Sequence, residues 1–324
     1  MKVNRIFWAL LVMAFFLGFS QDGLAQKYPS KNIRVIVAYT AGGSNTWVAR
    51  ALAIPLGKEL NGTVVIENMP GGSTKQAINE MMKSDPDGHT LLLLGHGAMM
   101  GYYYSGTYET KVWEKMTYIA QVGETPFGFL EVRSDSPFKT WSDLVAFAKK
   151  NPGKLVCGLN NAGGMNHLIG VETAKASGIE VKLVPFAGAA PNTVALLGGH
   201  VDYRVCSPID AYSNIKAGKT RGLGVSYDKR LPGLPDVPTF KELGIMEEFP
   251  PMTYGYWGPP NLPSELVSQI AKAVEIAIKD PGYIALCERI QYQPGFKNAQ
   301  MLKEDIAYFE KVVGPRLEAT FPRK

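Results

Sequence analysis

Short apolar runs alternate with longer amphipathic stretches along most of the chain. Residues 33–37, 63–67 and 89–94 have the apolar, β-branched character of buried strands. Residues 47–60, with Pro55 as a kink point, and 76–83 carry helical spacing between them. The third strand is introduced by the turn Asp85-Pro86-Asp87-Gly88. The alternation restarts with a strand at 155–157, a helix at 167–177, a strand at 181–185, a helix at 192–197 and a strand at 201–206. Residues 118–133 alternate like a strand between the two series, and 221–226 form another strand. A proline-rich stretch from Leu231 to Pro238 and the run Tyr254-Gly255-Tyr256-Trp257-Gly258-Pro259-Pro260 follow, and helices at 265–279 and 299–320 close the chain. Strands separated by helices predict α/β architecture with mainly parallel sheets flanked by helices.

Two joints in this pattern are richer than a turn requires. After the first strand comes Ala41-Gly42-Gly43-Ser44-Asn45-Thr46, and after the strand at 155–157 comes Asn160-Asn161-Ala162-Gly163-Gly164-Met165-Asn166. Each leads into a helix, where unpaired amides favour an anion. Neither loop holds Lys or Arg, so an anion there must be met by neutral donors and helix ends. In open parallel sheets such loops lie at the carboxyl ends of the strands, where ligands sit. Two passages of chain between two sheets would put a cleft at their junction.

The first residues read as an export signal: Lys2 and Arg5, an apolar run at 6–19, then Gly23-Leu24-Ala25. The run is shorter than the roughly 20 residues that span a bilayer. Cleavage after Ala25 would lower the net charge of +5 by one. Basic residues are scattered, which argues against nucleic acid as a partner. Cys157, Cys206 and Cys287 lack the close spacing of a zinc site and are expected to be small buried apolar residues. Arg204, inside an apolar strand, calls for a carboxylate partner, and a protein acid is the preferred one.

The motifs together resemble one family. They are Tyr28-Pro29-Ser30-Lys31-Asn32-Ile33-Arg34, the Ala41-Gly42-Gly43 turn, Ile66-Glu67-Asn68-Met69-Pro70-Gly71-Gly72, and Asp85-Pro86-Asp87-Gly88-His89-Thr90. Gly158-x-Asn160-Asn161-x-Gly163-Gly164-x-x-His167-Leu168, Val184-Pro185-Phe186-Ala187-Gly188, Leu197-Gly198-Gly199-His200-Val201-Asp202 and Leu234-Pro235-Asp236-Val237-Pro238-Thr239 continue the series. In order and spacing they are similar to the solute-binding proteins of tripartite tricarboxylate transporters, the Bug receptors, over residues 28 to about 320. The resemblance implies a two-lobed periplasmic-binding-protein-like fold with the ligand cleft between the lobes. Lobe one would comprise residues 26–123 and 250–324, and lobe two residues 124–249. It further implies a periplasmic, monomeric receptor that captures a small carboxylate and hands it to the membrane components of the transporter. No catalytic residue, metal or cofactor is implied.

The ligand-binding residues expected on this basis are Tyr39, Thr40, Ala41, Gly42, Gly43, Ser44, Asn45 and Thr46 in the first joint. Asn160, Asn161, Ala162, Gly163, Gly164 and His167 come from the second, and Gly95, His96, Gly97, Phe186, Gly188 and Ser207 from other strand ends. Backbone amides of 42–46 would hold one ligand carboxylate. Thr46 departs from the family, which commonly has Asp there, and so removes a negative charge beside the pocket. Tyr39 and Phe186, at strand ends, leave room for an aromatic carboxylate. The competing expectation is an enzyme acting on a small anion in the same cleft. Ser44 and His167 are the pair that would serve it, but no third orienting acid stands out and the nucleophile-elbow order is absent. A nucleotide-binding module is weaker, since neither G-x-G-x-x-G nor G-K-[ST] occurs in the turn.

Overall fold

A computed structural model describes residues 28–246, 249–289 and 292–322. The expected signal segment and cleavage point at Ala25 lie outside the described residues. The first sheet holds six strands, ordered β11-β4-β10-β3-β1-β2. They are β1 (Ile33–Val37), β2 (Val64–Asn68), β3 (Thr90–Gly95), β4 (Thr117–Thr125), β10 (Met252–Gly258) and β11 (Gln293–Asn298). The second holds β5 (Phe129–Arg133), β6 (Val156–Leu159), β7 (Lys182–Pro185), β8 (Tyr203–Cys206) and β9 (Thr220–Val225), ordered β7-β6-β8-β5-β9.

Each sheet is parallel on one side and antiparallel on the other. β1 pairs parallel with β2 and β3, whereas β10 runs antiparallel to both β3 and β4. In the second sheet β6 pairs parallel with β7 and β8, and β5 runs antiparallel to β8 and β9. β11 runs antiparallel to β4, and the other two reversed strands are the ones entered from the other sheet. β5 follows β4 across the junction and β10 follows the return from β9, so each enters from the opposite end.

Ten helices are described: α1 (Ser44–Leu60), α2 (Lys75–Met82), α3 (His96–Tyr104), α4 (Trp141–Lys150), α5 (Met165–Ser177), α6 (Ala189–Leu197), α7 (Pro208–Lys216), α8 (Ser264–Ala277), α9 (Pro281–Arg289) and α10 (Ala299–Thr320). In α1, Val48, Leu52, Leu56 and Leu60 recur at intervals of four and are buried in one core cluster with Ile33, Val35 and Val37 of β1. The helix stops where Asn61 turns left-handed, φ 52°, and its N–H reaches back to the Lys58 carbonyl.

The two sheets meet at the residues between β4 and β5 and at those after β9. Gly128 N–H donates to Ser226 Oγ at 2.7 Å, and Ser226 N–H donates to the Gly128 carbonyl at 2.8 Å, so the two crossings are tied at one level. Phe249 meets Phe127 and Phe309 edge-on beside them, and Phe127 and Phe309 are tilted to each other, within a core cluster that contains Leu92 of the first sheet and Leu130 and Leu159 of the second. α10 adds a strap: Arg316 Nε donates to Glu172 Oε1 of α5 at 2.8 Å.

The sequence-based reading differs from this in several places. Residues 118–133, expected as one strand, are β4 and β5, because the chain changes sheets at 126–128. Gly95 ends β3 as expected of a strand end, but His96 opens a helix, α3, that the pattern did not indicate. α4, α7, α9 and β11 were not foreseen, and the run at 254–258 was not read as the strand β10.

Candidate functional site

Five strand-to-helix joints converge where the sheets face each other: β1–α1, β3–α3, β6–α5, β7–α6 and β8–α7. They enclose a cavity of about 60 Å³ lined by Tyr39, Thr40, Gly43, Ser44 and Asn45 of the first joint and Asn160, Asn161, Met165 and Asn166 of the β6–α5 joint. Gly188, Ala189, Ser207 and Asp210 come from the β7–α6 and β8–α7 joints, and Ala98, Phe127 and Met252 supply an apolar wall. A second cavity of about 210 Å³ adjoins it, sharing Tyr39, Asn160, Asn161 and Gly188 and adding Ala162, Phe186 and the turn Pro70-Gly71-Gly72-Ser73-Thr74.

Four helices present their first residues to the smaller cavity: Ser44 and Asn45 of α1, Met165 and Asn166 of α5, Ala189 of α6, and Asp210 in the first turn of α7. The amides of a first helical turn have no carbonyl behind them, so these ends are sources of positive potential. The residues lining the smaller cavity include no Lys, Arg or His, and Asp210 is the one acid among them.

Asp210 is the charged residue that the sequence reading missed; Met165, Asn166 and Ala189 line the cavity and were not among the expected site residues either. Its Oδ1 accepts from Ser44 N–H at 3.0 Å, across the cleft, and its Oδ2 accepts from Asn160 Nδ2 at 3.1 Å. It is also the third residue of α7, where it completes a capping box with Ser207. Burial raises the Asp210 carboxyl above its usual range, opposed by Arg204 and by the amides of Ser207 and Ser44. The signal available was Ser207-Pro208-Ile209-Asp210 directly after an apolar strand: a capping box with Pro at the first helical position, repeating the strand–cap–helix pattern.

Beneath Asp210 lies a buried ion pair. Arg204 Nε donates to Glu131 Oε2 at 2.5 Å, both side chains being fully buried. Arg204 Nη1 reaches Thr193 Oγ1 at 2.5 Å, and Nη2 donates to the Asp210 carbonyl at 3.1 Å. The protein acid expected for Arg204 is Glu131, its direct cross-strand partner. The pair fixes α6 and α7 on the sheet without facing the ligand.

The expected site residues separate into three groups. Tyr39, Thr40, Gly43, Ser44, Asn45, Asn160, Asn161, Gly188 and Ser207 line the smaller cavity, and Ala162 and Phe186 line the adjoining one. Asn160 is nonetheless spoken for: its Oδ1 accepts from Asn192 Nδ2 at 2.8 Å and its carbonyl accepts from Gly188 N–H at 2.9 Å. The third group lines neither cavity, and each member has a structural reason. Ala41 and Gly42 are exposed on the outer side of the turn, where Gly42 supplies φ +95°. Thr46 is buried and its Oγ1 accepts from Asn68 Nδ2 at 2.7 Å, so its neutrality removes no charge from the cavity. Gly95 ends β3 opposite Tyr254, and Gly97 is held under Phe127 and Met165, both closer than 3 Å to any Cβ placed there.

His96 opens α3 and is buried, with Nδ1 3.1 Å from the Thr253 carbonyl oxygen and its ring edge-on to Phe309. Burial pushes its pKa down to about 4. His167 Nδ1 accepts from Gly163 N–H at 3.0 Å and the ring packs on Phe321, which makes it a brace for the second joint. Gly163 supplies φ +70° to that loop, and Gly164 is the residue before α5. Of the amides at 42–46 expected to hold a ligand carboxylate, two have protein partners. Ser44 N–H serves Asp210, and Thr46 and Trp47 N–H groups bond the Gly43 carbonyl.

The three cysteines are buried free thiols. Among the described residues no group of His, Cys, Asp and Glu is placed to hold a metal ion, and no helix is long and apolar enough to cross a membrane.

Comparison with known proteins places this geometry in a lineage. The family model for the tripartite tricarboxylate transporter family receptor matches residues 48–315. A Cupriavidus necator protein, described as UPF0065 protein in gbd 5'region, is 33% identical over 302 residues, 89% of each chain. Among solved structures, the periplasmic binding protein BugD superposes with TM-score 0.80 at 26% identity, covering 89% of this chain and 98% of its own. R. palustris Rpa4515, solved with adipate, superposes with TM-score 0.82 at 24% identity, covering 89% and 98%.

Proposed function

The chain belongs to the tripartite tricarboxylate transporter receptor family and is a substrate-binding receptor, and from that premise we propose how it holds its ligand. The ligand is a small carboxylate, seated in the cavity among Ser44, Asn45, Met165, Asn166 and Ala189. Related structures described as holding malate and adipate make a carboxylate the natural class. The observation that carries the reading is the convergence of four helix N-termini on a cavity whose lining has no basic side chain.

The unspent donors are the first amides of α5, Met165 and Asn166, and the Asn45 amide of α1. A hydrogen bond to a charged acceptor contributes about 1.5–3 kcal/mol, and a partly buried helix end up to about 2 kcal/mol. Three or four such contacts reach the roughly 8 kcal/mol of micromolar binding. The apolar wall of Ala98, Phe127, Met165 and Met252 excludes water from them. A chain longer than a few carbons, or an aromatic ring, would extend past Tyr39 into the adjoining cavity beside Phe186.

The two sheets act as lobes, 26–123 with 250–324 and 124–249, that part about the Gly128–Ser226 crossing to admit the ligand. The receptor works as a monomer in the periplasm after cleavage near Ala25, and delivers its ligand to the membrane components of the transporter. Thermal unfolding with a panel of mono-, di- and tricarboxylates and neutral sugars tests the ligand class. A carboxylate at about a hundred times its Kd stabilises the protein by roughly 2.7 kcal/mol and is recovered chemically unchanged. Stabilisation by none of the carboxylates, or turnover of one, contradicts the reading.

A further inference from the structure

Charge accounting inside the cavity leads past the carboxylate itself. Asp210 brings a carboxyl group to the lining, and no lining side chain there is basic. The nearest cation, Arg204, is committed to Glu131 and reaches Asp210 only at its main-chain carbonyl. Asp210 Oδ2 accepts from Asn160 Nδ2 at 3.1 Å and from Ser207 N–H at 3.4 Å, whereas Oδ1 accepts only from Ser44 N–H among the described residues, which leaves a lone pair on Oδ1. A ligand with two carboxylates would place three anionic groups in a space of about 60 Å³ with only helix ends to balance them.

A second observation points the same way. Asn45, 9% exposed, has a buried Oδ1 with no hydrogen-bond partner, and so has Asn161. Both residues line the same cavity as Asp210. Buried acceptors are costly unless a donor meets them. A protonated primary amine brings three donors and one positive charge.

We infer that Asp210 is a specificity residue and that the ligand is a carboxylate bearing a protonated amine. The amine sits against Asp210 and the Asn45 and Asn161 amide oxygens, and the carboxylate takes the helix ends of α5 and α1. Asp210 also occupies Ser44 N–H, so one anion position at the first joint is filled by the protein itself. The inference rests on the reading of the cavity as a carboxylate site.

Matched acid pairs that differ only in the amine provide the test: aspartate with succinate, 4-aminobutyrate with butyrate, and phenylalanine with 3-phenylpropionate. Calorimetry on the unmodified protein is expected to give at least tenfold tighter binding of the amine-bearing member in one pair. Asp210→Asn, which keeps an acceptor for Ser44 N–H, is expected to remove that preference by weakening the amine-bearing acid at least tenfold. The pH dependence reads the same interaction in the unmodified protein. The groups around Asp210 are Arg204 and Cys206 of β8, Glu131 of β5, Tyr39 beyond β1 and Tyr254 of β10. As acid protonates Asp210, affinity for the amine-bearing acid falls and affinity for the plain acid rises. Equal or tighter binding of the plain acids by the unmodified protein overturns the inference and leaves the carboxylate reading standing. Binding of neither member of any pair overturns both.

Discussion

The β1–α1 and β6–α5 joints look alike in sequence, each a small, glycine-rich loop opening a helix, yet they are held in different ways. The first is closed from both sides: Asp210 of the opposite sheet takes Ser44 N–H, and Asn68 of β2, in its own sheet, clamps the Tyr39 carbonyl at 2.9 Å and Thr46 Oγ1 at 2.7 Å. The second is closed from within: His167 holds Gly163, and Asn192 and Gly188 hold Asn160. One donor of the first, Ser44 N–H, is therefore taken by a protein carboxylate and the Thr46 and Trp47 amides by the Gly43 carbonyl. A loop's role is set by which of its donors are already paired, and composition alone does not report that.

The largest expected effect comes from the support beneath α6 and α7. Arg204→Met strands the Glu131 carboxylate in a fully buried site, and breaking such a pair typically costs about 3–5 kcal/mol. Urea unfolding should register that loss, and Arg204→Met with Glu131→Gln should recover part of it. Equal stability of the single and double variants would mean that the pair does not carry the β5–β8 floor.

The β3–α3 joint has its own signature in pH. His96 titrates at about 4 in the folded protein and near 6.5 in the unfolded chain, so the unfolded state takes the proton first. Its contribution is full above about pH 6.5 and is lost as pH falls toward 4, a change of roughly 3 kcal/mol. Unfolding measured at pH 7 and pH 4.5 should show a smaller drop for His96→Gln than for the unmodified protein. An identical drop would show that His96 is not the group responsible.

The two glycines of the first joint are expected to fail differently. Gly43 has an ordinary φ of −89°, and a Cβ there would lie 3.7 Å from that of Ala189 across the cleft. Gly43→Val should therefore leave stability within about 0.5 kcal/mol and weaken ligand binding at least tenfold, as read by calorimetry. Gly42, exposed and at φ +95°, should show the reverse: Gly42→Ala destabilises by about 1 kcal/mol with little change in affinity. The same phenotype for both would erase the distinction between the cavity side and the outer side of the turn.

The alternating runs made the sheets and most helices legible, because apolar strands such as Ile33–Val37 and Leu91–Leu94 are buried on both faces. α3 was hidden because His96–Tyr104 is enclosed on most sides and carries no polar face to set a period. The antiparallel strands were hidden because strand direction depends on which end the chain enters from. At the site, nine of the expected residues line the smaller cavity because they sit at strand ends, a position readable from the pattern. Asp210 was out of reach for another reason. Its partner Ser44 is 166 residues away, and nothing local to either residue announces the contact. The packing of His96 under Phe309 and the bracing of Gly163 by His167 were likewise not readable, since burial and bracing leave no mark on sequence spacing.

Among the smallest effects, His167→Ala should cost about 1 kcal/mol of stability through the lost Gly163 bond and change ligand affinity less than twofold. A tenfold loss of affinity would return His167 to the binding surface.

The most direct measurement is a crystal structure of the protein purified with the ligand it carries from the cell. The account predicts an organic acid between the two sheets, its carboxylate within hydrogen-bonding distance of the Met165 or Asn166 amide and another of its groups against Asp210. A ligand bound away from these residues, or one without a carboxylate, would contradict it.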